Sequence, residues 1–211
     1  MNYKEAALST YSKFSTVDGN QHIASDFAIQ QILMFIKHFK VQTILEIGLG
    51  IGSICDAVLV HNAQETYKID YSGTESNEFC LDALKKNVTN YNDIKLYADI
   101  AAIDVKQKFD FIIVDGSDDS LEKVKIFLNI NGFIFIEGGR FSQVTALKKI
   151  FPKCIFAEII SLRKPPLIGP FQQPWAGGGG LIFTNPTIFQ NIYCFYQKVR
   201  TFVVRRLRKL V

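Results

Sequence analysis

The stretch Ile44-Leu45-Glu46-Ile47-Gly48-Leu49-Gly50-Ile51-Gly52 decides how this chain folds. A short apolar strand, Thr43–Ile47, runs into glycines at alternate positions, and a helix is predicted from about Ser53 to Val60. Glycine lets the backbone turn sharply and approach a ligand closely at the carboxyl end of a sheet. Around this unit the pattern repeats. A helix capped by Ser25 or Asp26 precedes it, with Phe27, Ile29, Ile32, Leu33, Phe35, Ile36 and Phe39 at helical spacing. A second strand is expected near Lys68–Glu75, then a helix that Ser76 can cap, with Phe79, Leu81, Ala83, Leu84 and Val88 as its apolar positions. Ile94–Ala98 reads as a third strand. Phe109–Val114 (FDFIIV) is the continuous apolar run of a buried central parallel strand.

Further along, Ser120–Leu128 reads as a short helix and Gly132–Ile136 as a strand entered through a turn at Asn131–Gly132. Phe141–Phe151 reads as a helix ended by Pro152, and Cys154–Ser161 and Leu181–Thr184 as the last two strands. The alternation implies an α/β fold with one doubly wound, mostly parallel seven-stranded sheet. Right-handed crossovers place helices on both faces.

The glycine loop narrows the ligand. A dinucleotide fingerprint is GxGxxG, but here the spacing is GxGxG and the sixth position is Ser53. Glu46 stands two residues before the first glycine, where a carboxylate would repel a pyrophosphate. A ligand carrying an ammonium and a sulfonium, such as S-adenosylmethionine, suits that charge better.

With these residues the chain, over roughly residues 25–185, resembles the class I S-adenosylmethionine-dependent methyltransferases, in particular their small-molecule and glycan O-methyltransferases. The resemblance implies an antiparallel last strand and a cofactor loop at Gly48, Gly50 and Gly52. It sets Glu46 near the methionine end of the cofactor. It also implies an acid after the second strand that holds both ribose hydroxyls. Glu75 fits through the segment Glu75-Ser-Asn-Glu-Phe-Cys-Leu-Asp-Ala-Leu-Lys-Lys-Asn87, while Asp70 competes because it lies nearer the usual distance of about 20 residues from the loop. Asp99 matches the acid that meets the adenine amino group, with Ile100 packing on the ring. Asp115 ends the fourth strand and faces the sulfonium or the acceptor.

Methyl transfer to a hydroxyl or amine also needs a route for the acceptor's proton. His38 and His61 belong at the wrong edge of the sheet, so His22 is the histidine candidate for a base and Asp115 the carboxylate candidate. Some O-methyltransferases of the catechol type hold Mg²⁺ with an Asp after the fourth strand and an Asp-Asn pair after the fifth. Asp115, Asp118 and Asp119 stand at the first place, but the second reads Glu137-Gly138-Gly139 without an Asn, so no metal is expected. The segment 163–180 is expected to cover the acceptor pocket with Phe171 and Trp175, and its glycines, Gly177–Gly180, to act as a hinge.

Composition sets outer limits. At 211 residues, 48% hydrophobic and 21% charged, the chain is neither disordered nor fibrous and fits one domain. Residues 1–186 are assigned to that domain, with 1–41 as an N-terminal helical cap, and 187–211 to a separate helix. Cys55, Cys80, Cys154 and Cys194 form no CxxC pair, which points to reduced thiols. With no apolar signal core at the N-terminus, a cytoplasmic protein is expected. Residues 187–211 hold six basic residues and no acid, which leaves −2 for the rest of a chain of net +4. A nucleic-acid partner is therefore not expected. In the tail Ile188, Ile192, Tyr196, Val199, Phe202, Val203, Leu207 and Leu210 recur at helical spacing, with Lys198, Arg205 and Lys209 off that stripe. Such a helix suits the inner membrane surface or self-association. The sequence thus predicts an O-methyltransferase acting on a small-molecule, glycan or lipid-linked acceptor. Its rivals are a nicotinamide-dependent oxidoreductase and a non-catalytic cofactor-binding scaffold.

Overall fold

The structure is a computed structural model that describes residues 2–63, 68–116, 121–170 and 173–210. Seven strands form one sheet: β1 (Thr43–Ile47), β2 (Asp70–Thr74), β3 (Ile94–Tyr97), β4 (Phe109–Val114), β5 (Leu128–Glu137), β6 (Ile155–Ile159) and β7 (Gly179–Phe183). Their order is β3-β2-β1-β4-β5-β7-β6, parallel except for β7, which runs antiparallel to both neighbours. Chain order reverses between β1 and β4, where open α/β sheets leave a crevice at the carboxyl edge.

Helices α1 (Tyr3–Phe14), α2 (Asp26–Phe39), α3 (Ser53–Asn62) and α4 (Glu78–Asn87) follow in the first half of the chain, and α5 (Val124–Phe127), α6 (Phe141–Ile150) and α7 (Ile188–Leu207) in the second. Alternate residues of the central strands feed two cores, as a period of two requires. Ile44, Phe111, Phe133 and Phe135 pack with α2 and α3; Leu45, Ile112, Ile134 and Ile136 pack with α5 and α6. An aromatic cluster gathers around Phe35, whose ring meets Phe111, Phe133, Phe135 and Tyr193 at centroid distances of 5.5–6.4 Å.

Several local expectations are corrected. The cap of α4 is Asn77, whose side chain accepts from the Cys80 N–H at 3.1 Å, because Glu75 already binds the Ser76 and Asn77 N–H groups. Asn131–Gly132 is no turn. β5 continues through it with a register irregularity, since Phe109 pairs with Leu128 while Phe111 pairs with Phe133. Gly179 and Gly180 are strand residues and no hinge: a Cβ on Gly178 would lie 1.9 Å from the Ile159 carbonyl oxygen, and one on Gly179 2.1 Å from that of Ile136. The start of the expected helix at Ser120 lies outside the described residues, and α5 is a single turn beginning at Val124.

The tail forms the expected helix and packs its polar face on the domain. α7 starts with a capping box, in which the Gln190 N–H donates to Thr187 Oγ1 and the Thr187 N–H to Gln190 Oε1. It then packs on the domain with Gln190, Cys194, Gln197, Thr201 and Val204 inward. The apolar stripe faces out, its eight residues 40–82% exposed. The reason is β6. As the edge strand it presents carbonyls that need donors. α7 supplies one within β6 and two in the segment that follows it: Thr201 Oγ1 donates to Glu158 O, Arg200 to Ile160 O at 2.8 Å, and Arg208 Nε to Ser161 O at 2.8 Å. An aliphatic face would leave those oxygens unsatisfied.

Candidate functional site

The loop after β1 turns at Gly48, with φ +85°, where a Cβ would lie 2.6 Å from Gly116 Cα. Only a bare backbone lets the loops after β1 and β4 approach so closely. Gly50 has φ +54° and open space where a Cβ would stand, so its face is bare toward the crevice. Gly52, at φ +99°, precedes α3 as its N-cap. The expected acids then separate by place. Glu75, Asp99 and Asp115 follow β2, β3 and β4 at the carboxyl edge, and Glu46 lies within β1 beneath the loop. Asp70 opens β2 at the opposite edge, where it pairs with Lys95. Position favours Glu75 over Asp70.

Glu46 is fully buried. Oε2 accepts from the Tyr71 hydroxyl, and Oε1 has no partner among the described residues. Burial, then the neighbouring Asp115, pushes its carboxyl well above the ordinary range. Glu75 ties the loop to the start of α4. Oε2 accepts from Gly50 N–H at 2.8 Å, and Oε1 from Ser76 and Asn77 N–H at 2.9 and 2.8 Å. A carboxylate accepts in about four lone-pair directions, so three are occupied and a diol would share or displace the Gly50 contact. Asp99 caps a short 3-10 turn through the Ala101 and Ala102 N–H groups. Ile100 is buried in the core with Leu45 and Phe109, so its side chain lies beneath the crevice surface.

Two cavities open along this edge. One, of about 350 Å³, is lined by Gln21, His22, Gly50, Ser53, Asn77 and Asp115 among others, and among the described residues no lysine or arginine lines it. His22 thus reaches the crevice from a short 3-10 turn. His38 and His61 do not: they end α2 and α3, which run back to the amino edge. The other cavity, of about 570 Å³, lies between Glu137, Gly139, Phe141, Trp175, Gly177 and Arg208. Trp175 is held under the Lys164 and Arg208 cations at 4.9 and 5.2 Å. Phe171 lies outside the described residues. Both volumes are in the range of small-molecule sites.

Between the cavities stands a carboxyl pair. Asp115 borders the smaller cavity, Glu137 borders the larger, and their carboxyls are hydrogen-bonded to one another. The Ser25 backbone N–H, at the head of α2, favours the charged form of Glu137. Arg140 lies 3.4 Å from Asp115 Oδ1 and donates to Gly116 O at 2.9 Å, joined there by Gln143. Burial raises both carboxyls, Asp115 to about 6 and Glu137 to about 8, with Arg140 opposing the rise. Like charges this close cannot both ionise easily, so the two values belong to the pair. Sequence reasoning misses Glu137 and Arg140 as site residues. The place of Glu137 at the end of β5 is readable, as that of Asp115 after β4 is, but their pairing depends on the two strands lying side by side. Asp118 and Asp119 lie outside the described residues, and among the described residues no three His, Cys, Asp or Glu side chains are placed to hold a metal.

No protein-family model matches the chain, and no curated protein does. Solved structures match its fold. The O-methyltransferase TomG of Streptomyces achromogenes, in complex with S-adenosylmethionine, superposes with a TM-score of 0.61 at 10% identity, over 85% of this chain and 89% of that one. An O-methyltransferase of Bacillus cereus gives 0.58 at 13%, over 86% and 90%. The Podospora anserina methyltransferase PaMTH1 gives 0.55 at 15%, over 85% and 88%. The chain therefore has a class I methyltransferase-like Rossmann fold.

Proposed function

We propose that the protein is an S-adenosylmethionine-dependent methyltransferase acting on an oxygen of a small-molecule or glycan acceptor, lipid-linked acceptors included. One observation carries this reading: two small-molecule cavities open on either side of the Asp115–Glu137 pair, and the one at the glycine loop is bordered by acid and, among the described residues, free of lysine and arginine. A pyrophosphate would find no lysine or arginine among the described lining residues, whereas a sulfonium and an ammonium suit the acid there. In this reading Gly48, Gly50 and Gly52 shape the cradle, Glu75 takes the ribose, Asp99 the adenine amino group, and the unpartnered Glu46 Oε1 lies beneath the loop for the ammonium.

When bound, the cofactor supplies an electrophilic methyl for in-line displacement. The chain's own part is to align the acceptor in the larger cavity and to take its proton. Near neutral pH the Asp115–Glu137 pair carries roughly one proton and one charge, so one oxygen remains free to accept. His22, on the rim of the cofactor cavity, is the second group able to do so. Arg140 supplies positive charge beside Asp115, which supports a metal-free reaction.

A ligand of the native state raises its melting temperature. S-adenosylhomocysteine is expected to do so and NAD not; the reverse result would reject the reading in favour of an oxidoreductase, and a response to neither would favour a degenerate domain that binds no cofactor. Activity is expected to survive EDTA, and rescue by Mg²⁺ after its loss would reject the metal-free part. The carboxyl pair is testable without an acceptor. Its folded pKa values are raised, so its contribution to stability is full below about pH 4 and is lost as pH rises through about 6 and about 8. Melting temperature should fall over that window, and Glu137→Gln should flatten the upper part of the fall.

A further inference from the structure

The outward face of α7 is apolar from Ile188 to Val203. At ~100° per residue, Ile188, Ile192, Phe195, Val199, Phe202 and Val203 fall on one side, away from the buried Gln190, Gln197 and Thr201. A patch of this kind on a solvent-facing helix marks a contact surface. Its charge is one-sided. Lys198 and Lys209 flank the stripe and Arg206 lies within it, its guanidinium 5.1 Å from the Phe202 ring. Among the described residues no carboxylate pairs with these three, whereas Arg205 is held by Glu158 on the flank.

We propose that this face docks on an anionic lipid bilayer, with α7 lying in the plane of the headgroups. The apolar side chains enter the acyl boundary while Lys198 and Lys209 reach phosphate and carboxylate headgroups from the rim. Charge complementarity selects this occupant over a second copy of the chain. Two α7 helices meeting face to face would bring Lys198, Arg206 and Lys209 of one copy against the same three of the other, with no acid in either 187–211 segment to pair them. The helix lies on the membrane and does not cross it, since no described helix is long and apolar enough to span. Docking on α7 leaves the inner face and the β6 edge as they are.

Co-sedimentation of the full-length protein with phosphatidylcholine vesicles, with and without phosphatidylserine, tests the proposal. Binding to the anionic vesicles at low salt, and its loss as salt rises, is expected. Removing the three charges in Lys198→Gln/Arg206→Gln/Lys209→Gln should weaken partitioning roughly a hundredfold, at about fivefold for each basic residue near the surface. Ile192→Ser/Val199→Ser/Phe202→Ser should abolish it. All six positions face outward, so both variants should keep the parent melting temperature, which separates lost binding from lost folding. The proposal is overturned if the full-length protein ignores anionic vesicles at low salt, or if the apolar variant binds as the parent does. Equal binding to both vesicle types would also reject it. So would light scattering that finds a dimer dissolved by the apolar substitutions, because the occupant would then be a second copy.

Discussion

Helices α2 and α7 have similar patterns and opposite orientations. In α2, Phe27, Ile29, Ile32, Leu33, Phe35 and Ile36 are all at most 4% exposed, and the apolar face meets the sheet as amphipathicity predicts. In α7 the apolar face meets solvent and the polar face meets protein. The difference lies in what each covers. α2 lies over the side chains of central strands, whose backbone groups are already paired within the sheet. α7 lies along an edge strand, where unpaired carbonyls call for hydroxyls and guanidinium groups. Periodicity tells which face of a helix is apolar; the neighbour decides which face turns inward.

The contrast can be broken from either side. Phe35→Ala in α2 should cost the most, about 3–5 kcal/mol, because it empties the centre of an aromatic cluster; denaturant unfolding reads the loss, and a cost below about 1 kcal/mol would deny α2 its place in the core. On the inner face of α7, Thr201→Val should cost about 1 kcal/mol by leaving Glu158 O without its donor. A neutral result would mean that the edge does not need the polar face.

His38 joins the two helices, stacked on Phe189 at 4.9 Å and beside Tyr193 at 4.7 Å. Burial lowers its pKa, so it favours folding above the ordinary imidazole range and loses that contribution as pH falls through its lowered value. A small drop in melting temperature on mild acidification should therefore disappear in His38→Phe. The smallest effect belongs to the outer face. Phe202→Ser should change stability by no more than about 0.5 kcal/mol, because the ring is exposed. A loss like that of Phe35→Ala would mean that the stripe is packed after all.

What the sequence conveys follows the same division. β1 and β4 are legible to the residue, because each is an apolar run with a sharp boundary at a glycine or an acid. The glycine loop and the acids beside it are legible because strand ends locate them. Three features are not. The irregularity in β5 looks like a turn because Asn-Gly has the same local chemistry in both. Gly179 and Gly180 look like a hinge because the need for a bare backbone there comes from strands far away in sequence. The Asp115–Glu137 pair depends on two strands meeting side by side, which no local pattern encodes.

The polar cover on β6 also bears on solubility. A bare edge strand is a template for another chain's backbone, and α7 covers it, with Thr201 on the Glu158 carbonyl and Arg200 and Arg208 on the two carbonyls just beyond the strand. The tail is thus a gatekeeper against strand-to-strand aggregation, whatever its outer face meets. A chain clipped before Thr187 would keep every proposed cofactor residue and still precipitate, because β6 of one molecule would be open to the edge of the next.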